Sequence, residues 1–191
     1  MWNIPSINIP EEFFSSKSGK PIEICIMCGK ELLTDYEPYI IEKAFKNNLI
    51  TKETELIFEY AMCSKCQQST ASELSKESLK NIKMYYELYV NFEERQAKFQ
   101  EAKNFKISDW INKCIITGKP LSEYKEFQYG GMFLRNQLLL GNIPFAVGEK
   151  AINEMQELIS KKTRDYLDRF KDKVIPPSVR DKVPDDFLIL M

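Results

Sequence analysis

The chain has 191 residues, of which 43% are hydrophobic and 12% aromatic, so it can bury the core of one or two small domains. Its 27 basic and 28 acidic residues give a net charge of −1. Nucleic-acid-binding proteins usually carry a basic excess, so this balance argues against nucleic-acid binding. The absence of histidine excludes a Ser-His-Asp triad, a Cys-His pair and every histidine metal ligand, so a metal would need cysteine or carboxylate ligands.

Residues 1–21 are predicted to form an extended arm, because this segment contains Pro5, Pro10, Gly19 and several serines. Its apolar residues would anchor it to the rest of the chain: Trp2, Ile4, Phe13 and Phe14. The arm has no basic region followed by a long apolar run, and no part of the chain approaches the length of a membrane span. We therefore expect a cytoplasmic protein without a signal peptide and without a membrane contact.

Two C-x2-C pairs follow the arm: Cys25 with Cys28, and Cys63 with Cys66. A two-residue spacer lets both thiolates of a pair face one ion, and two such pairs supply the four sulfur ligands of a tetrahedral structural zinc. In a chain without a secretion signal, this spacing favours zinc over disulfides. Iron in the same four-sulfur cage, a redox-active dithiol and four unligated thiols remain as alternatives.

The residues around the two pairs predict a turn, a β-hairpin and a helix, in that order. Gly29 can adopt a positive φ and so allow the tight turn of a zinc knuckle after Cys28. Residues 36–41 and 55–62 have the composition of two strands with a polar loop between them. From Cys63 to about residue 105 the apolar side chains have helical spacing, carried by Leu79, Ile82, Tyr85, Tyr89, Phe92 and Phe99.

A knuckle, a hairpin and a helix whose first turn provides the second ligand pair resemble the treble-clef zinc finger. The resemblance covers about residues 22–80 and rests on five residues: Cys25, Cys28, Gly29, Cys63 and Cys66. It implies a fold and a four-cysteine zinc site but no particular activity, since treble clefs serve nuclease, ribosomal, RNA-binding, ubiquitin-related and purely structural roles. No closer family is recognised, and residues 22–106 are interpreted as one zinc-binding unit with a long helix.

The opening phrase of this unit recurs later in the chain. Residues 114–121, CIITGKPL, repeat the Cys, Ile, Gly, Lys and Leu of residues 25–32, CIMCGKEL. Residues 145–151, FAVGEKA, likewise resemble residues 60–66, YAMCSKC, in the same order along the chain. Two ordered matches favour a duplicated unit over the chance recurrence of a short phrase. We interpret residues 107–173 as the second copy.

The second copy is expected to fold without metal. Its four ligand positions read Cys114, Thr117, Gly148 and Ala151, and three of these cannot act as thiolates. An apolar core would hold this copy together, built from Ile115, Ile116, Leu138, Leu139, Leu140, Phe145 and Val147. Its helix is predicted from Gly148 to about Lys173, with an apolar stripe formed by Ile152, Met155, Ile159, Tyr166 and Phe170.

Two further segments have unusual compositions. Gly130–Gly141 has a glycine pair before an apolar run, which predicts a bulge or a close backbone approach, with a ligand site as the alternative. Residues 174–191 form a proline-rich tail that ends in the apolar Phe187–Met191. This end is expected to lie on the chain's own surface, or else to insert into a partner or a second subunit. Because the first helix reaches the boundary near residues 103–110, the two copies are expected to share one core.

These features predict an α+β protein made of two treble-clef-like units with long helices. A zinc held by four protein ligands has no open position, which indicates a structural metal in a non-enzymatic adaptor that binds a protein partner or itself. A nucleic-acid-binding role is the alternative, suggested by the lysines and aromatics interleaved over residues 80–86. Under the enzyme alternative, Asp35, Glu42 and Glu59 could form an acidic cluster. Under a further alternative, a thiol redox switch would release the zinc on oxidation. No nucleophile–base pair is visible in the sequence, which counts against an enzyme.

Overall fold

The computed structural model describes residues 4–101, 105–175 and 177, which form a mixed α+β fold, as the sequence predicts. Within these residues, six strands make one antiparallel sheet: β1 Ser6–Asn8, β2 Tyr39–Asn47, β3 Thr54–Cys63, β4 Glu126–Leu134, β5 Gln137–Leu139 and β6 Phe145–Gly148. Six α-helices accompany the sheet: α1 Ser64–Glu73, α2 Lys76–Tyr89, α3 Phe92–Glu101, α4 Ser108–Ile111, α5 Glu149–Glu157 and α6 Lys161–Val174. Short 3-10 turns lie at Glu11–Phe13 and Leu121–Glu123.

The sheet joins the two halves of the chain through its two central strands. The strand order is β1-β5-β4-β2-β3, and β6 also pairs with β4. β2 and β4 are antiparallel with Glu42 opposite Gly130, so a strand from each half lies at the centre. The predicted strands at 36–41 and 55–62 correspond to β2 and β3, which form the expected hairpin.

β2 is covered on both faces, because its first six residues are all buried. Two of them are charged and have partners: Glu42 accepts a hydrogen bond from the Tyr60 hydroxyl, and the Lys43 ammonium lies 3.0 Å from the Glu59 carboxylate. Since neighbouring residues of a strand face opposite sides, Glu42 and Glu59 lie on opposite faces of the sheet. Asp35 is bound 2.6 Å away by Lys30. Glu42 and Glu59 therefore do not join Asp35 in the acidic cluster considered from the sequence.

The glycine pair of the Gly130–Gly141 stretch lies inside β4, where packing explains it. A Cβ atom on Gly131 would lie 2.9 Å from the Leu138 side chain and 3.1 Å from that of Phe13. One on Gly130 would lie 3.3 Å from the Glu42 side chain across the sheet. The close backbone approach predicted from the sequence is thus present, although the strand begins before the glycines and not after them.

The two long helices predicted from periodicity are each interrupted, which corrects that expectation. The first is divided into α1, α2 and α3, and the second into α5 and α6. Ser75 and Ser160 cap α2 and α6 by accepting hydrogen bonds from Ser78 N–H and Thr163 N–H, and Asn91 accepts one from Glu94 N–H in the first turn of α3. Side chains that bond to nearby N–H groups start a new helix and compete with continuation of the old one, while the apolar spacing runs on across the break.

Because of these breaks, α2 and α6 each pack on a strand of the other half. Tyr86 of α2 lies 5.6 Å from the Phe145 ring at the start of β6, and Phe170 of α6 lies 6.2 Å from the Tyr60 ring on β3. The buried apolar residues of both halves belong to one hydrophobic cluster. The predicted core positions Leu138, Leu140, Phe145 and Val147 are among its buried residues, and Ile115 and Ile116 pack against it half-buried.

Phe13 is the best-buried anchor of the amino-terminal arm, whereas Ile4, another predicted anchor, is 42% exposed. Phe13 is fully buried, with its ring 5.0 Å from that of Phe133 and 5.4 Å from that of Tyr129. Trp2 and the tail from residue 178 onward, including Phe187–Met191, lie outside the described residues. Among the described residues, no helix combines the length and the apolar character that crossing a bilayer requires.

Candidate metal centre

The first pair of cysteines is presented by a tight turn, Cys25–Lys30. Cys25 N–H donates to the Lys30 carbonyl at 2.8 Å, and Gly29 N–H donates to the Cys25 carbonyl at 2.9 Å. Gly29 has φ +70°, a conformation that side chains with a Cβ rarely adopt. The turn therefore needs glycine at this position to aim both sulfurs at one point.

The second pair lies where β3 passes into α1. Cys63 is the last residue of the strand, and Cys66 lies in the first turn of the helix. Ile26 N–H donates to the Ala61 carbonyl at 2.9 Å, which fixes the Cys25–Lys30 turn against the end of β3. This bond brings the two cysteine pairs together although residues 29–62 separate them in sequence.

The four predicted ligands converge. The Sγ atoms of Cys25, Cys28, Cys63 and Cys66 all lie within 4.8 Å of one another, and those of Cys28 and Cys63 are 3.9 Å apart. Four sulfurs at about 2.3 Å from a tetrahedral metal would be about 3.8 Å apart, so small shifts would complete the cage. None of the five cysteines, all among the described residues, forms a disulfide. The cluster could hold a metal ion.

The surroundings of the sulfurs affect their ionisation unequally. Burial opposes ionisation of Cys25, but hydrogen bonds from the N–H groups of Cys63, Cys28 and Met27 lower its pKa to about 7. Burial raises the pKa of both Cys63 and Cys66, and the negative charge of Cys25 adds to the rise. Four thiolates this close repel one another, so a cation at the centre would be needed to keep them all ionised.

Glu37 connects the two ligand pairs, and sequence reasoning missed it. One carboxylate oxygen lies 2.5 Å from the Lys30 ammonium, which follows the first pair. The other accepts hydrogen bonds from Ser64 Oγ and Lys65 N–H, both at 2.9 Å, at the start of α1. The bond from Lys30 and then that from Lys65 N–H hold the Glu37 pKa at about 2. No spacing rule identifies such a residue, because its partners come from two distant segments.

The chain around Cys114 has the same backbone hydrogen bonds as the Cys25–Lys30 turn. Cys114 N–H donates to the Lys119 carbonyl at 2.9 Å, and Gly118 N–H donates to the Cys114 carbonyl at 2.8 Å. Gly118 has φ +71°. Ile115 N–H donates to the Ala146 carbonyl on β6 at 2.8 Å, which fixes this turn against the strand that ends at Gly148.

A tyrosine occupies the space between these positions in the second half. The Tyr124 hydroxyl shares a hydrogen bond with Thr117 Oγ1, and its ring is so near Gly148 that a Cβ there would lie 2.6 Å from it. Burial raises the pKa of Tyr124, and Cys114 lies close enough to its hydroxyl to influence that pKa. Cys114 and Ala151 are also buried. Sequence reasoning missed Tyr124, which belongs to none of the repeated phrases.

A cleft of about 920 Å³ is bordered by the loop that follows the first cysteine pair. Its walls come from the amino-terminal arm, the loop between the two cysteine pairs and the β4–β5 turn, and its apolar lining residues are Ile4, Leu33, Pro38, Leu134 and Leu139. At its edge the Arg135 guanidinium lies 4.3 Å from the centre of the Tyr36 ring. The cleft and the metal centre therefore share one loop.

The chain matches no protein-family model, no curated protein sequence and no solved structure. What can be said of its function therefore rests on its own residues and their geometry. The convergent cysteines are the feature with the clearest chemical meaning.

Proposed function

We propose that this protein is a non-enzymatic interaction module whose first half is held together by a structural zinc ion. The observation that carries the proposal is the convergence of four cysteine Sγ atoms within 4.8 Å of one another. Four thiolates complete the coordination of zinc and leave no position for a substrate or a reactive water. Iron accepts the same ligands, but C-x2-C pairs in this arrangement are typical of zinc sites.

We further propose that residues 22–106 and 107–173 are duplicated treble-clef-like units. The matching hydrogen bonds of the two turns support this interpretation, as do the strand pairings. Tyr39 lies opposite Cys63 in the first half, and Phe127 lies opposite Gly148 in the second. The third ligand position of each unit thus has the same place in its strand pair.

The contacts between the halves also support a duplication. Ser75 N–H donates to Thr163 Oγ1 at 2.9 Å, and Ser160 N–H donates to Ser78 Oγ at 2.8 Å, so the two helix starts exchange equivalent bonds. The pairing of β2 with β4 is also symmetric. Its centre is Glu42 opposite Gly130, and the two antiparallel strands pair in the same way on both sides of that point. The two units would then be related by a two-fold axis, as the subunits of a dimer are.

A protein partner is supported by apolar side chains that the described surface leaves exposed. Ile50 is 92% exposed at the β2–β3 turn, and Leu88 and Met84 are 75% and 54% exposed on α2. Met84 and Leu88 lie four residues apart and therefore on one face of α2, and adjacent exposed apolar side chains are typical of protein contacts. Nucleic-acid binding usually requires a basic excess, which the net charge of −1 does not provide.

Metal analysis of the purified protein and a binding titration together test this proposal. We expect about one zinc ion per chain, and no binding of fluorescent single- or double-stranded DNA or RNA at low salt. Binding that weakens steeply with added salt would favour the nucleic-acid alternative. Sedimentation over a range of concentrations then distinguishes self-association from a different protein partner.

A further inference from the structure

Two tyrosines have the same place in the two halves of the chain. Tyr36 lies three residues before Tyr39, which pairs with Cys63, and Tyr124 lies three residues before Phe127, which pairs with Gly148. Each tyrosine therefore lies three residues before the strand residue that pairs with the third ligand position of its half.

Their side chains nevertheless have opposite environments. Tyr36 is 75% exposed, and its hydroxyl accepts a hydrogen bond from Arg135 Nη1 at 2.9 Å on the outside of the molecule. Tyr124 is 6% exposed and points inward, where its hydroxyl meets Thr117 and its ring packs on Gly148. This difference in orientation correlates with the number of cysteines at the ligand positions. The outward Tyr36 belongs to the half with four such cysteines, and the inward Tyr124 belongs to the half with one.

We propose that the Tyr124 side chain fills the space that the metal would occupy in the first half, so that the second half contains a latent tetrahedral metal site closed by one ring. This inference rests on the proposed duplication. Two of the four ligand positions contact this one side chain: Thr117 by its hydrogen bond and Gly148 by its close approach to the ring. The tyrosine links the turn to the strand end, as the metal would in the first half.

The glycine at position 148 is explained by this ring and not by the backbone. Gly148 has φ −92° and ψ 164°, an extended conformation that any residue can adopt. A Cβ there would lie 2.6 Å from three atoms of the Tyr124 ring, closer than real Cβ contacts come. A cysteine at position 148 would therefore collide with an inward Tyr124 ring. The ring can be buried only where this ligand position has no Cβ.

A double-mutant cycle tests the steric part of the proposal. Gly148→Ala in the otherwise unchanged chain should lower the melting temperature by several degrees, because the new Cβ collides with the ring. Tyr124→Ala should also lower it, by leaving a cavity. In the Tyr124→Ala background, however, Gly148→Ala should cause no further loss. Additive losses would overturn the proposal. Gly141→Ala is the matched control, since its Cβ would meet nothing within 4 Å and should have little effect.

Restoring the ligands tests the metal part. The variant Thr117→Cys/Gly148→Cys/Ala151→Cys/Tyr124→Ala should bind two Co²⁺ ions per chain where the unaltered protein binds one, with both ions giving the visible absorption of tetrahedral cobalt thiolates. The same triple cysteine variant with Tyr124 retained should bind the second ion at least tenfold more weakly. A folded quadruple variant that binds no more Co²⁺ than the unaltered protein would overturn the proposal. If that variant does not fold, the double-mutant cycle decides alone.

This experiment distinguishes a failure of the proposed metal site in the first half from a failure of the proposed latent site in the second half. Unaltered protein that binds no Co²⁺ would contradict the structural metal site of the first half. A second ion that binds to the quadruple variant, and is retained when Cys63→Ser removes the first, would support the latent site whatever the first site does.

Discussion

At the scale of single residues, Glu37 links the two halves of the candidate metal centre. Its carboxylate contacts Lys30 beside the first cysteine pair and the start of α1 beside the second. Glu37→Gln should keep the fold but weaken metal retention, because the ion pair is lost and the amide has only one acceptor oxygen. Competition with a chromophoric chelator at neutral pH measures this effect.

The pH dependence of the Glu37 contribution has a definite sign. The Glu37 pKa falls from 4.5 to about 2 on folding, so its carboxylate stabilises the fold above pH 4.5. This contribution is lost as pH falls from 4.5 toward 2. The melting temperatures of the unaltered protein and Glu37→Gln should therefore converge across that interval. Glu94→Gln is the control, because the exposed Glu94–Lys98 pair also lowers the pKa of Glu94 but lies on α3 and should leave metal retention unchanged.

Sequence alone could identify the four cysteines, because ligand spacing follows directly from coordination geometry. It could not identify Glu37 or Tyr124. Their roles depend on partners such as Ser64 and Gly148, which the fold brings near from distant parts of the chain. A tyrosine before a strand has many ordinary explanations, and only its inward position next to a glycine makes it informative.

At the scale of elements, four hydroxyl groups join the starts of α2 and α6. Ser78 and Thr163 are each 1% exposed, and each accepts a hydrogen bond from an N–H group of the other half. Ser78→Ala or Thr163→Ala would remove a buried hydroxyl and leave a partly buried N–H group of Ser160 or Ser75 without its partner, which costs about 1 kcal/mol of unfolding free energy. Urea denaturation measures this loss.

Thr163→Ser is the matched control for these variants, since it retains the hydroxyl that bonds to Ser75 N–H. It should cost clearly less than Thr163→Ala. The two alanine variants should also combine non-additively, because the hydroxyls of Ser75 and Ser160 are themselves 2.9 Å apart. Equal losses for Thr163→Ser and Thr163→Ala would contradict this account.

The strands could be predicted from sequence more accurately than the helices. The composition of residues 55–62 located β3 closely, whereas the predicted strand at 36–41 shares only residues 39–41 with β2. Helical periodicity could not reveal the breaks at Ser75 and Ser160, because the apolar side chains on both sides keep steps of three and four. The breaks are decided by side-chain capping, a local competition that hydrophobic spacing does not report.

At the scale of the whole molecule, the halves cannot respond independently to metal loss. β2 pairs with β3 on one side and with β4 on the other, so a disturbance of the first half reaches the second directly. Removing the metal with a chelator should therefore reduce amide protection in Glu126–Leu134 as well as in Thr54–Cys63. Hydrogen exchange followed by mass spectrometry measures this, and full protection of β4 in the metal-free protein would contradict a shared core.

A core shared by both halves could be predicted, because the predicted first helix reaches the boundary between them. The packing of α2 and α6 on strands of the opposite half could not be predicted. α2 begins after the break at Leu74–Ser75 and places Tyr86 against Phe145 of the other half. The arrangement of the two halves thus depends on capping residues that hydrophobic spacing does not identify.

The most direct test of the central claim is the metal content of two matched cysteine variants, measured by native mass spectrometry. The structural-zinc account predicts about one zinc ion in the unaltered protein and in Cys114→Ala, since Cys114 lies outside the four-sulfur cluster. It predicts loss of that ion and a lower melting temperature for Cys63→Ser. A Cys63→Ser variant that keeps both its zinc and its melting temperature, or a folded unaltered protein without metal, would contradict the account.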